Sequence, residues 1–94
     1  MDANKLFEMT ALYKGIFDQM GVVSRSCDRS ATNVSREAKL AHCRRMLDKL
    51  PKYIAQGRTE KAQRWIAFIQ GVLWGLDLTT ITELKNTSRP VTGK

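Results

Sequence analysis

His42 is the single histidine of the chain and the one side chain whose ordinary titration falls near neutral pH. A histidine base needs a carboxylate to orient it and a nucleophile in reach. Glu37 and Asp48 lie on different sides of the helix that the surrounding spacing predicts, and no two acids of the chain stand four residues apart. His42 therefore reads as a boundary residue in a stripe with Met46, Lys49 and Tyr53. No catalytic residue is assigned, and the chain reads as a non-enzyme. A metal site fares no better. Cys27 and Cys43 are the two cysteines, and Cys43, beside His42, points elsewhere on a helix. Cys43 falls on an apolar face and Cys27 in a polar loop, both as reduced thiols. No metal or cofactor is expected.

Charge offers more. Residues 25–64 hold eleven Lys and Arg against four acids, a surplus of seven that equals the net charge of the chain. Arg44, Arg45, Lys49 and Lys52 share a helical face, and Arg58, Lys61 and Arg64 follow after a tight turn. Such a face can serve solubility alone. As a binding surface it calls for an acidic partner: an acidic host protein, nucleic acid or a nucleotide. Nucleic acid would be held through phosphates with little sequence reading. A helix-turn-helix reader needs a polar recognition helix, and the helix after this turn is too apolar for a groove. Arg25 and Arg29, among serines, could close on a phosphate. Residues 24–32 lack the glycine that brings backbone amides onto one.

The elements that position these groups follow from apolar spacing. Residues 2–20 predict a first helix with Leu6, Met9, Leu12, Tyr13, Ile16, Phe17 and Met20 inside, Phe7 outside and Gly21 as its stop. A loop spans 22–32. Asn33 or Ser35 caps a second helix, whose buried face is Leu40, Cys43, Met46, Leu47, Leu50, Tyr53 and Ile54. The phase continues across Pro51, so a kink or short break is expected there. Gly57 ends the helix, and Thr59 is read as the next N-cap.

The third helix, Thr59–Leu76, is the most apolar stretch. Ala62, Trp65, Ile66, Ile69, Val72, Leu73 and Leu76 form one face, while Phe68, Gly71, Trp74 and Gly75 lie opposite. Glycine within a helix costs about 1 kcal/mol relative to alanine, so close approach of another helix is expected at Gly71 and Gly75. Either the first helix fills that groove within the monomer, or the groove is a homodimer seam or partner site. Gln70, Arg64 and Asp77 interrupt or flank the run, which is short of the ~20 residues of a membrane span. Thr80 and Glu83 have capping-box spacing for a short last helix with Ile81 and Leu84 packed back. Pro90 rules out a longer one.

The residues HCRRMLDKLP at 42–51, GRTEKAQRWIAFIQGVLWG at 57–75 and TITELKNTSRP at 80–90 resemble small uncharacterised proteins of tailed bacteriophages. The resemblance covers about half of the chain, and its motif is a packing pattern rather than a reactive one. It implies a viral protein in bacterial cytoplasm that binds and redirects a host factor or blunts a host defence. It carries no binding residues over.

The expectation is an all-α bundle of three main helices plus a short C-terminal one. The second and third helices form an antiparallel hairpin. Residues 1–86 make the single domain and 87–94 a flexible tail. With no leader peptide read at the N-terminus and no membrane span, the chain is expected in the cytoplasm. Its expected work is non-enzymatic capture of a host factor through the basic face, as a homo-oligomer joined at Phe68, Gly71, Trp74 and Gly75. The alternative is a nucleic-acid accessory protein or a binder of a small anionic nucleotide.

Overall fold

A computed structural model describes residues 2–25 and 30–88, with helices and no strand among them. In chain order these are α1 (Ala3–Gln19), α2 (Arg36–Ala55), α3 (Thr59–Gly75) and α4 (Ile81–Ser88). Asp2 starts α1 by accepting from the Lys5 amide at 2.8 Å. Ser35 starts α2 by accepting from the Ala38 amide at 3.1 Å. These bonds satisfy amides that a helix start leaves without an internal partner. Asn33 is not the cap; it sits in the left-handed region at φ 56°. Thr59 is not a cap either. Arg58 occupies that position with no side-chain hydrogen bond, and Thr59 is already helical. Thr80 and Glu83 do form the reciprocal capping box, at 3.1 and 3.0 Å.

The first three helices end alike. After α2, the Gly57 amide donates to Ile54 and the Arg58 amide to Tyr53. The crossed pair of bonds is a Schellman motif, which needs a left-handed residue; Gly57 supplies it at φ 79°. After α3 the same bonds run from Asp77 to Trp74 and from Leu78 to Leu73. There Asp77, not glycine, takes φ 62°. The sequence carries no glycine signal for that stop. Proline inside α2 does not interrupt it: the helix is unbroken through Pro51, with Leu50 and Ile54 both buried beside it. The expected break is absent because proline deletes a single bond while its flanking apolar residues keep both turns on the core.

The core gathers Leu6, Met9, Tyr13 and Phe17 from α1, Leu40, Cys43, Leu47, Leu50 and Ile54 from α2, and Ala62, Ile66, Ile69 and Leu73 from α3. Gln70 donates to the Tyr13 hydroxyl at 2.9 Å, joining α1 to α3. Thr10 is buried, its hydroxyl satisfied by the Leu6 carbonyl at 2.8 Å. Arg36 reaches the Leu76 carbonyl at 3.1 Å, His42 meets Phe68, and Tyr53 meets Trp65. Early α2 thus faces late α3, and late α2 faces early α3. No helix among the described residues is long and apolar enough to cross a membrane.

Three packing expectations fail. Leu12, Ile16 and Met20 belong to the predicted buried face of α1 but are 38–47% exposed. They form the flank of the apolar stripe, and α2 and α3 cover only its centre. Nor does α1 fill the groove on α3: Phe68 and Trp74 are 52% and 53% exposed. A Cβ added at Gly71 or Gly75 would meet nothing within 4 Å. α3 is packed on one side only, and among the described residues nothing offsets the cost of those glycines. Ile81 is half exposed as well, because α4 lies at the margin of the bundle. α4 also continues past Lys85 to Ser88.

Candidate functional site

The α2 stripe His42, Arg45, Met46, Lys49 and Tyr53 recurs at intervals of three and four, which keeps it on one helix face. Lys61, Arg64, Trp65 and Phe68 repeat that spacing on α3. Because the two helices are packed together, the stripes face each other across an open groove of about 540 Å³ lined by these nine residues. That volume lies within the roughly 300–1,000 Å³ usual for ligand sites. The lining brings together four cations, Arg45, Lys49, Lys61 and Arg64, and no aspartate or glutamate. Among the described residues, the ion pairs involve none of these four.

The rings of the groove are ordered by edge-to-face contact. Tyr53 and Trp65 have centroids 5.1 Å apart at 76°, and His42 and Phe68 lie 6.4 Å apart at 84°. Two cations rest on the first pair. Lys61 Nζ is 4.1 Å from the Tyr53 centroid and 5.2 Å from that of Trp65, and the Arg58 guanidinium is 5.0 Å from Tyr53. Each such contact contributes about 0.5–1 kcal/mol at an exposed site. Lys61 is thereby parked over the rings, yet an arriving anion can draw it off at small cost. Phe68 differs: it stands at the edge of the groove with half its surface open.

The predicted basic patch divides. Arg45, Lys49, Lys61 and Arg64 come together in the groove. Arg58 lies on Tyr53 at one end, and Lys52 is exposed outside the lining. Arg44 turns the other way. It pairs with Asp18 at 3.1 Å and Asp48 at 3.6 Å and donates to the Lys14 carbonyl at 3.4 Å, tying α2 to α1. Its charge is matched by acids and does not serve the groove. Of the predicted self-association residues, Gly71, Trp74 and Gly75 lie on the outer surface of α3, while Phe68 lines the groove. Trp65, expected on the buried face, does pack against the core and also lines the groove; that it meets Tyr53 there was not read from sequence, and the signal available was their phase beside Lys61 and Lys49.

His42 occupies the boundary position expected of it, half-buried against Phe68. Cys43 is fully buried. Among the described residues, no three His, Cys, Asp or Glu side chains converge as a metal site would require. Cys27 and Arg29 lie outside the described residues, as do residues 89–94 of the predicted tail. Arg25 is described, and its amide donates to the Ala41 carbonyl at 3.3 Å. Comparison with protein-family models, with curated proteins and with solved structures gives no match.

Proposed function

We propose that this is a non-enzymatic binding protein that holds an acidic partner in the α2–α3 groove. The observation that carries the reading is the convergence of Arg45, Lys49, Lys61 and Arg64 around one cleft whose lining holds no carboxylate. Four like charges held together repel one another, and an anion relieves that repulsion. In the setting that the phage resemblance implies, the partner is a factor of a bacterial host cell, met in its cytoplasm.

The test is binding of a fluorescent polyanion to the wild type and to the double variant Arg45→Glu, Lys49→Glu. Affinity should fall steeply between 50 and 200 mM salt, and the double variant should lose at least about 100-fold. Equal binding by the two proteins removes the groove as the site. The outer face of α3 supports a second reading, self-association. Trp74 is half exposed there beside two glycines that no described residue covers, with Phe68 at the border of that face and the groove. Wild type should sediment as an oligomer at micromolar concentration and Gly71→Leu as a monomer. A monomeric wild type ends that reading.

A further inference from the structure

We infer that the partner of the groove is a single-stranded nucleic acid, with one base stacked on Phe68 and its phosphates on the surrounding cations. This rests on the proposed anion-binding role of the groove and deepens it. An acidic protein surface would ask only for charge. The groove instead places a half-exposed aromatic ring one helical turn from Arg64, with His42 in perpendicular contact with that ring and Arg45 on the facing helix. Cations interleaved with exposed rings suit a strand whose repeating unit is a phosphate and a flat base. Stacking on a side chain needs a free ring face. A duplex buries its base faces against each other, whereas a single strand leaves them available.

Lys61 refines the picture. Resting on Tyr53 and Trp65, it covers the rings deeper in the groove. A phosphate that draws Lys61 aside uncovers Trp65, so entry of the backbone opens a second ring to the next base. Positive charge also continues past the groove at Arg58 and Lys52, both exposed. A mononucleotide would leave those cations unused, while a strand of several nucleotides reaches them.

The experiment titrates the full chain, carrying Trp74→Phe so that Trp65 alone reports, with four probes. They are a 12-nucleotide oligo-dT strand, an abasic strand of the same length, the same 12-mer as a duplex, and thymidine monophosphate. The oligo-dT strand should quench Trp65 and bind at least about tenfold tighter than the abasic strand. It should also bind tighter than the duplex and the mononucleotide. Phe68→Ala should erase the preference for oligo-dT over the abasic strand. Equal binding of the two strands would overturn the inference while the anion-binding role stands. A duplex or mononucleotide that binds as well as the strand overturns it too. If neither strand binds, both readings fall. The comparison of strands on unsubstituted Phe68 decides the matter even if Phe68→Ala does not fold.

Discussion

The two sides of α3 are made of similar residues and have opposite surroundings. On one side Ala62, Ile66, Ile69 and Leu73 are sealed against α1 and α2; on the other Phe68 and Trp74 are more than half open. Ile69 and Phe68 are neighbours in the chain and about 100° apart on the helix. Hydrophobicity alone does not separate them. What separates them is the number of neighbouring helices: two can cover only one side of a third, and α4 is too short and too peripheral to cover the rest. The other side keeps apolar rings that the bundle does not bury.

The largest effect should come from breaking the sealed side. Ile69→Ala removes a fully buried side chain and should cost about 2–5 kcal/mol in urea denaturation. Phe68→Ala, on the open side, should stay within about 0.5 kcal/mol of wild type. A loss of several kcal/mol at Phe68 would mean that the two sides are not distinct.

Gly71→Ala sharpens the contrast in the other direction. With nothing near the added Cβ, the helix should gain about 0.5–1 kcal/mol, read as a higher denaturation midpoint at low protein concentration. Destabilisation would show that this face is covered in solution. A second contrast lies within α2. Arg44→Ala should lower stability by about 0.5–1 kcal/mol, since its partners are partly exposed, and should spare polyanion binding. Arg45→Ala should do the reverse, leaving the denaturation midpoint in place and weakening binding.

The last contrast concerns the helix starts. Ser35→Ala should cost about 1 kcal/mol through the lost cap, whereas Thr59→Ala should change stability by less than about 0.5 kcal/mol. An equal loss at both positions would restore Thr59 as the cap of α3.

These contrasts show where a linear reading works. Helix existence and phase were legible from apolar spacing, and so were the Gly57 stop and the Thr80–Glu83 box, because each is a local preference of a few consecutive residues. The cationic half of the groove was legible for the same reason: Arg45 and Lys49 share a face by their spacing, as do Lys61 and Arg64. The exposure of Leu12 and Ile16 was not, since an apolar stripe does not reveal how much of its width a neighbour will cover. Arg44 looked like a member of the patch beside Arg45. It leaves that patch because Asp18, distant in sequence, comes within 3.1 Å. Asp77 in the left-handed conformation had no signal, because aspartate tolerates that region without requiring it.

By itself the sequence determined the angular order of side chains around each helix and the surplus of positive charge in the middle of the chain. Periodicity and composition are properties of the chain alone. Only the tertiary structure decided which side of α3 is covered, which arginine is matched by acids, and that Trp65 and Phe68 share a cleft with four cations. Those outcomes depend on distances between helices, and a helical period sets angles within a helix but no distance to its neighbour.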